Sequence, residues 1–444
     1  ARALADAISE LGREAMAPLI EGARLAALSA PQNLFLPLLA IGGQTLIRQG
    51  PAPSGLIGGD AGELIVGNDH GGYIDGRGGD DILVGGLGSE VLYGGAGRNT
   101  FVFGLGDGRD VIASEHLSGQ DADNTLAFRA SIRQQDLLFQ PDAWGNLAIS
   151  IAGSTDEVHI QAFRPHDAPS SSNWRQHLGW ITFADGTRWS AEELRLRLNQ
   201  GTDGADVLYG DYRSETIRGG AGNDRIRTFG GDDLLDGGSG SDQLDGGSGS
   251  DTYLIRRGEG SDVITDRSDG EPHRDMVQFG PGIGPGNVRF YRSNAKWDLD
   301  LHIQIDGNPH ALSIRSFFSG GLPEHFWRWS VEEFRFEDGS VWTDEEIRTR
   351  MLAGNAESQT LFGYFGDDTI QGLDGDDRIG GLDGNDRLEG GNGDDRLEGD
   401  SGDDLLIGGP GNDWLDGGSG SNVYLFEGEV GRDVIASRSQ PLQG

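Results

Sequence analysis

The sequence predicts a mainly β protein in which three parallel β-rolls, built as a nonapeptide solenoid, alternate with two small β-rich modules that each carry a short helix. A helical N-terminal segment is predicted to precede them. Glycine supports this fold class, because it makes up 76 of 444 residues, far above its usual share of about 7%, and recurs every nine residues in three blocks. The segments that follow the first two blocks are duplicates of each other with the alternating pattern of strands.

The third block, residues 363–425, shows how the units stack. Position 4 of every unit is glycine and position 8 is always a large apolar residue. One apolar residue in nine cannot form a core alone, but stacked units form one because each apolar side chain lies over its counterpart. We therefore predict short strands joined by glycine turns, two turns per coil, with units n and n+2 roughly 4.8 Å apart. The units begin at Gly363, Gly372, Gly381, Gly390, Gly399, Gly408 and Gly417.

Position 6 of these units carries a carboxylate that predicts metal binding. Stacking places each position-6 residue beside the one 18 residues away. Two carboxylates and the carbonyls of the turn form an all-oxygen cage, which suits Ca²⁺ better than Mg²⁺, since Mg²⁺ requires stricter octahedral geometry. A closing unit after a two-residue insertion adds one more aspartate. The predicted calcium ligands of this roll are Asp368, Asp377, Asp386, Asp395, Asp404, Asp413 and Asp433.

At the other end of the chain, residues 1–55 are predicted to be a helical segment and linker. Leu4, Ile8 and Leu11 follow helical spacing, and a second apolar run covers residues 34–47. A helical hairpin that packs on the first roll, or on protein upstream of this segment, accounts for this pattern. The alternative is the end of a membrane-active or catalytic domain.

Residues 56–113 are predicted to form a degenerate first roll. Position 8 remains apolar, but aspartate is rare at position 6, so we expect few calcium sites there. The predicted ligands are Asp81 and, in the closing unit, Asp110. Position 6 reads Glu63, Gly72, Asp81, Glu90 and Asn99.

Residues 201–265 are predicted to form the second roll, and residues 357–444 contain the third. The second roll keeps aspartate at position 6 in all units but one. Glu215 is that exception, and its longer side chain makes the pairing with Asp233 doubtful. The predicted ligands of this roll are Asp206, Asp224, Asp233, Asp242, Asp251 and, in the closing unit, Asp262.

The two β-rich modules are predicted at residues 114–200 and 266–356. Each contains an Asp-Gly pair suited to a hairpin turn, followed by a capping box, Ser190 to Glu193 or Thr343 to Glu346, that begins a short helix. An aromatic cluster at residues 325–329 is either part of the core of the second module or a platform on which a sugar stacks.

Composition narrows the classes of function. A net charge of −37 disfavours nucleic acid and anionic membranes as direct partners. No apolar run reaches the length of about 18 residues that a membrane-spanning helix needs. The sequence contains no zinc-protease, P-loop, serine-hydrolase or dinucleotide fingerprint, so it predicts no enzyme activity for this region.

These motifs give the chain a close resemblance to bacterial RTX proteins over residues 58–436. Residues 275–347, and more loosely residues 123–194, resemble the haemolysin-type calcium-binding-related module that lies between RTX blocks. The resemblance implies several bound Ca²⁺ ions, export through a type I secretion channel and folding by calcium outside the cell. It implies a secreted scaffold, such as an adhesin, filament, surface layer or toxin stalk.

The alternative that the same resemblance allows is the C-terminal export and folding region of a secreted RTX enzyme, of the lipase, protease or epimerase type, with its catalytic domain upstream. Besides calcium, the expected partners are the export channel and either a second copy at the open roll ends or a cell-surface or glycan partner. We expect no nucleic acid partner and no transmembrane span.

Overall fold

The structure is a computed structural model. It describes residues 40–41, 44–48, 55–67, 69–113, 123–142, 144, 146–161, 178–266, 273–293, 299–306, 308–318, 331–428 and 431–436. The chain divides into two compact units, residues 1–200 with 209–212, and residues 201–208 with 213–444. The described residues are mainly β, with a parallel β-solenoid and two short α-helices, as the sequence predicts.

Among its described residues, the first unit contains one α-helix, α1 (Ala191–Leu198), and a 3-10 turn at Gln134–Asp136. Its strands are β1 (Ala40–Ile41), β2 (Gln44–Arg48), β3 (Leu56–Ile57), β4 (Glu63–Val66), β5 (Gly72–Asp75), β6 (Ile82–Val84), β7 (Glu90–Tyr93), β8 (Thr100–Phe103), β9 (Arg109–Ile112), β10 (Thr125–Phe128), β11 (Leu137–Pro141), β12 (Leu147–Ile151), β13 (Glu157–Ile160), β14 (Trp180–Thr182) and β15 (Arg188–Ser190).

Successive strands of the first roll alternate between two sheets, because each nine-residue unit turns the chain to the opposite side. Strands β4, β6 and β8 run parallel in one sheet, and β3, β5, β7 and β9 run parallel in the other. The position-8 residues form continuous apolar ladders, for example Ile65 beside Leu83 and Leu83 beside Phe101, all at most 2% exposed. The predicted stacking of units n and n+2 is confirmed.

The inter-roll module of this unit adds strands to the sheets of the roll. Strand β10 pairs in parallel with β8, and β14 with β10; on the other sheet β13 pairs in parallel with β9. Antiparallel hairpins then close both sheets, β15 on one and β12 and β11 on the other. The roll and its module therefore share one hydrophobic core.

The predicted helical N-terminal segment is wrong where the structure describes it, and residues 1–39 lie outside the described residues. The apolar run at residues 34–47 ends in two strands, β1 and β2, paired antiparallel. Strand β2 also pairs in parallel with β4, with Ile47 beside Ile65. The edge of the first roll thus offers main-chain partners to Thr45, Leu46 and Ile47, and this tertiary pairing overrides the helical pattern.

The second unit contains α2 (Asp344–Leu352) and a 3-10 turn at Pro285–Asn287. Its strands are β16 (Val207–Tyr209), β17 (Thr216–Ala221), β18 (Arg225–Arg227), β19 (Leu234–Ser239), β20 (Gln243–Asp245), β21 (Thr252–Ile255), β22 (Asp262–Ile264), β23 (Met276–Phe279), β24 (Val288–Tyr291), β25 (Leu301–Ile305), β26 (Asn308–Ile314), β27 (Glu333–Arg335), β28 (Val341–Thr343), β29 (Ala353–Asn355), β30 (Thr360–Phe362), β31 (Thr369–Asp374), β32 (Arg378–Asp383), β33 (Arg387–Asn392), β34 (Arg396–Ser401), β35 (Leu405–Ile407), β36 (Trp414–Asp416), β37 (Val423–Tyr424) and β38 (Val434–Ile435).

The second unit repeats the arrangement and continues it into the third roll. Strands β23 and β27 extend one sheet of the second roll, and β26, β25 and β24 extend the other. In the third roll Ile370 stacks on Leu388 and Leu388 on Leu406, all fully buried. Both predicted capping boxes form, with Ser190 accepting from the N–H of Glu193 and Thr343 from the N–H of Glu346.

All position-4 glycines of the third roll except the first are required by both backbone conformation and space. Gly393 has φ = 143°, and a Cβ there would overlap the carbonyl oxygen of Gly375 in the neighbouring coil. We expect Gly393→Ala to destabilise the roll by about 2–3 kcal/mol or more, because this φ region is essentially restricted to glycine. Urea unfolding of the calcium-loaded chain measures the effect.

Gly366 is the matched control, since it occupies the same position of the first unit. It lies outside the left-handed region, and a Cβ there meets no atom within 4 Å. Gly366→Ala is therefore expected to change the free energy of unfolding by less than about 0.5 kcal/mol. Equal losses in the two variants would contradict the role given to the close approach of neighbouring coils.

Candidate metal centres

The position-6 side chains form a ladder along each edge of the rolls. One carboxylate oxygen, Oδ1, accepts a hydrogen bond from the main-chain N–H of the position-6 residue 18 places earlier. Asp386 accepts from Asp368 at 2.9 Å and Asp395 accepts from Asp377 at 2.8 Å. The structure therefore brings together the residues that the sequence pairs. The same bond is made by Asp81, Asp224, Asp233, Asp242, Asp251, Asp377, Asp404 and Asp413.

The closing units join these ladders across their two-residue insertions. Asp110 accepts from the N–H of Glu90, Asp262 from that of Asp242, and Asp433 from that of Asp413, each at 3.0 Å and 20 residues apart. Asp110 and Asp262 are buried, whereas Asp433 is half-buried.

The second oxygen of most position-6 aspartates is buried and makes no hydrogen bond within the described protein. It lies against the position-1 glycine of its own unit: a Cβ on Gly381 would overlap Oδ2 of Asp386, and one on Gly390 would overlap Oδ2 of Asp395. Buried oxygens without donors are costly unless a cation or proton compensates them. These oxygens belong to Asp81, Asp110, Asp224, Asp242, Asp251, Asp377, Asp386, Asp395, Asp404 and Asp413.

Asn99 shows what this position requires when no carboxylate is present. Its amide Nδ2 donates to the carbonyl oxygens of Gly95 at 3.2 Å and Gly97 at 3.5 Å, which are positions 2 and 4 of its own turn. An ionised aspartate cannot donate to such carbonyls, so its oxygen and theirs need a positive charge between them. A donor set of carboxylates and carbonyls fits a hard cation such as Ca²⁺.

Burial raises the pKa of these aspartates, as expected for buried carboxylates that have no positive charge beside them. Desolvation raises the pKa of Asp386 to about 7 and that of Asp395 to about 6, and neighbouring carboxylates add to the rise. In the other rolls the pKa of Asp81 and of Asp262 rises to about 7, and that of Asp251 to about 8. Burial also raises the pKa of Asp110, Asp224, Asp242, Asp368, Asp377, Asp404 and Asp413.

The first unit of each complete roll differs, because its carboxylate has a donor in its own turn. Oδ2 of Asp206 accepts from the N–H of Thr202 at 2.6 Å, and Oδ2 of Asp368 accepts from the N–H of Tyr364. In the first roll, Glu63 accepts in the same way from Gly59 at 3.2 Å. These carboxylates therefore need a cation less than those inside the rolls.

Sequence reasoning missed a second ladder formed by position 5. There an exposed side chain accepts from the N–H of the position-5 residue 18 places later, as Asp367 does from Asn385 at 2.7 Å and Asp376 from Asp394 at 2.9 Å. The signal was present in the sequence, because position 5 of the third roll is always aspartate, asparagine or serine. These side chains brace neighbouring coils and stay exposed.

Two further sequence predictions concern other sites. The aromatic cluster at residues 325–329 lies outside the described residues. Among the described helices, none is long and apolar enough to cross a membrane.

Comparison with known protein families identifies both kinds of segment. The RTX calcium-binding nonapeptide repeat matches residues 66–101, 75–112, 200–226, 209–244, 219–253, 354–388 and 389–424. The haemolysin-type calcium binding protein related domain matches residues 146–193 and 300–346. These families and the solenoid fold indicate a structural region rather than a catalytic domain.

Comparison with individual proteins gives weaker similarity than comparison with families. No curated protein matches the chain. Among solved structures, the extracellular lipase LipA from Serratia marcescens matches 62% of this chain at 18% sequence identity and a TM-score of 0.22. The match covers 40% of the lipase chain, so this chain spans less than half of its length.

Proposed function

Because the chain belongs to the RTX calcium-binding proteins, whose repeats bind several Ca²⁺ ions and are typical of secreted proteins, we propose that it is a scaffold that folds on calcium outside the cell. The stacked, buried carboxylate oxygens that lack a hydrogen-bond donor support this proposal. Within a cell-surface or secreted protein such a region serves as a load-bearing part of an adhesin, filament, surface layer or toxin stalk.

We assign the ligands to the position-6 aspartates inside the rolls. The strongest sites use aspartates with a free buried oxygen, and the third roll supplies most of them: Asp377, Asp386, Asp395, Asp404 and Asp413. The first roll supplies Asp81 and Asp110, and the second Asp224, Asp242 and Asp251. Asp233 belongs with them by its place in the ladder. The ligands that we assign at the ends of the ladders are Asp206, Asp368, Asp262 and Asp433.

Calcium dependence follows from the balance of charge. Residues 363–425 carry 16 acidic side chains against three arginines, so the metal-free third roll brings many carboxylates together without enough cations. Extracellular Ca²⁺ modules bind at roughly 10⁻⁴ to 10⁻³ M, a range reached outside but not inside a cell. The chain would pass unfolded through a type I secretion channel, and calcium would then favour the folded state by mass action.

A far-UV circular dichroism titration tests the proposal. Starting from chelator, Ca²⁺ is expected to give a cooperative gain of β signal in the sub-millimolar to millimolar range. Mg²⁺ at matched ionic strength is the control and is expected to give little gain, because its coordination geometry is stricter.

Two outcomes would contradict the proposal. A chain already folded in chelator would show that the rolls need no metal, and an equal response to Mg²⁺ would show that only charge screening matters.

A further inference from the structure

Five ionisable side chains meet where the second roll joins its module, and we call them the junction group. They are Asp251, Asp266, His273, Asp275 and Glu332. Asp251 ends a ladder of the roll, whereas the other four lie outside the nonapeptide units. Apart from Asp251, the group is therefore not part of the repeat pattern described above.

Hydrogen bonds and close contacts bring the group together. Oδ1 of Asp275 accepts from the N–H of Asp251 at 2.8 Å, and the N–H of Asp275 donates to Oε2 of Glu332 at 2.7 Å. Nε2 of His273 lies 3.4 Å from Oδ2 of Asp275. One ligand atom from each of His273, Asp275 and Glu332 lies within 4.8 Å of the others, which is a spacing that a single metal ion can span.

The junction group contains buried oxygens without donors. Asp251 and Asp275 are fully buried and Asp266 is 2% exposed. Oδ2 of Asp251, Oδ2 of Asp275 and both oxygens of Asp266 make no hydrogen bond within the described protein. Asp266 faces Asp275. Burial is the main cause that raises the pKa of Asp266, followed by the hydrogen bond that the two carboxyl groups share when one is protonated, and then by the charges of Asp275 and Asp251.

The arginine that lies between His273 and Asp275 in the sequence does not neutralise this charge. Arg274 pairs instead with Glu333, at 2.7 Å. Three buried carboxylates thus lie beside one imidazole, and at neutral pH they require either protons or a metal ion.

The junction of the first roll with its own module provides an internal comparison. There Asn124 accepts from the N–H of Asn99 at 2.7 Å, as Asp275 does from Asp251. The N–H of Gly179 donates to the carbonyl of Asn124, as that of Glu332 does to Asp275. The neutral residues Asn99, Asn124 and Gly179 thus stand where the second junction has Asp251, Asp275 and Glu332. The amide of Asn99 also donates a hydrogen bond to a carbonyl of its own turn, which an ionised aspartate cannot do. These backbone hydrogen bonds therefore form without carboxylates, so the carboxylates of the second junction must have a different role.

We propose that the junction group is a binding site for one divalent cation. Its ligands are His273, Asp275 and Glu332, whose ligand atoms have the required spacing, and Asp266, which faces Asp275, supplies a further carboxylate. A set of carboxylates with one imidazole accepts Mn²⁺ or Zn²⁺ as well as Ca²⁺, unlike the all-oxygen sites of the rolls. The site ties the second roll to the module that follows it, and it does not rest on the proposed extracellular role.

Metal content of the full chain tests the site. The chain is loaded with Ca²⁺ or with Mn²⁺, dialysed, and its bound metal counted by mass spectrometry. Asp266→Asn keeps the shape of the side chain and is expected to remove about one ion per chain. Asp232→Asn is the matched control: it removes a nearby exposed carboxylate whose oxygen accepts from Ser250, and it is expected to lose no ion.

The same substitution shows whether a metal ion or a shared proton compensates the buried carboxylates. Asparagine imitates a protonated aspartate, so it would leave a group held together by a proton unchanged. Equal metal content and equal unfolding temperature in Asp266→Asn and the parent chain would overturn the proposal. If Asp266→Asn does not fold, Glu332→Gln at the half-buried rim replaces it, and full metal content in that variant would overturn the proposal too.

His273 gives a spectroscopic test. Bound Mn²⁺ is expected to show a nitrogen coupling in pulsed electron paramagnetic resonance, and His273→Gln is expected to abolish it and to weaken Mn²⁺ binding by on the order of 10–100-fold. A bound Mn²⁺ without that coupling in the parent chain would overturn the assignment of the imidazole.

Discussion

Replacing Asp386 and Asp395 together with asparagine is expected to lower calcium binding and yet to stabilise the third roll in chelator. The two residues lie on opposite edges of the roll, in ladders with Asp368 and Asp377. We expect the double variant to lose about two or more Ca²⁺ ions and to need at least about tenfold more Ca²⁺ for folding, because each site loses a charged ligand.

The gain in chelator follows from what the metal-free fold must bury. Asn99 occupies the same position and uses its amide to donate to the turn carbonyls. An asparagine keeps the oxygen that accepts from the neighbouring coil and adds this donor. Removing a buried carboxylate whose pKa is raised to about 7 or 6 should stabilise the metal-free roll by on the order of 1–3 kcal/mol per site, after allowance for solvent screening.

Alanine gives the opposite result and serves as the comparison. Asp386→Ala with Asp395→Ala leaves the N–H groups of Asp368 and Asp377 without acceptors, at a cost of about 1–3 kcal/mol each. The exposed position-5 pair Asp367→Asn with Asp376→Asn is the control for charge alone, since both oxygens continue to accept from the next coil.

Calcium content by mass spectrometry and urea unfolding in chelator measure the three variants. Where the metal-free chain is unfolded, folding by an excluded osmolyte gives the same comparison. An asparagine variant that is as unstable in chelator as the alanine variant would show that burial does not penalise these carboxylates.

The repeat register can be predicted from the sequence because each of these positions in the nine-residue unit holds one type of residue with one structural role. Position 8 fills the core, as at Ile370 and Leu388, and position 4 permits close contact between coils, as at Gly393. Charge and spacing alone are enough to predict position 6 as the ligand position. The sequence does not reveal that Asp386 uses one oxygen for the neighbouring N–H and leaves only the other without a hydrogen-bond donor, because that depends on side-chain orientation.

Other features depend on contacts that no local pattern contains. Strand β2 forms because β4 offers it a sheet edge, and a helical spacing cannot reveal that edge. Glu332 meets Asp275 across 57 residues of chain. Leu373 and Leu382 adopt φ of 80° and 82° at position 2, where local reasoning expects glycine, because the coils on either side fix the turn.

The metal-free chain is expected to lose stability as pH rises from about 5 to 7.5, whereas the calcium-loaded chain gains it. Asp81, Asp386 and Asp395 have pKa values raised by burial to about 7, 7 and 6, against 3.8 for an exposed aspartate. A raised pKa means that the folded state binds more protons than the unfolded state between these values. The stabilisation is therefore complete below about pH 4 and is lost as pH rises through the folded pKa.

The size of the effect decides whether the metal-free rolls are folded at neutral pH. At on the order of 1–3 kcal/mol for each such carboxylate, several of them together match the 5–15 kcal/mol that stabilises a typical domain. Calcium reverses the sign because it binds only ionised carboxylates, so protons compete with it.

Urea unfolding after removal of metal on a chelating resin, at about pH 5 and pH 7.5, measures the first trend, and the same experiment in millimolar Ca²⁺ measures the second. The lower pH stays above the isoelectric point of about 4.4, where loss of net charge would promote association. Stability that rises with pH in both conditions would show that the buried carboxylates are already compensated without metal, and the calcium requirement of the rolls would then need another origin.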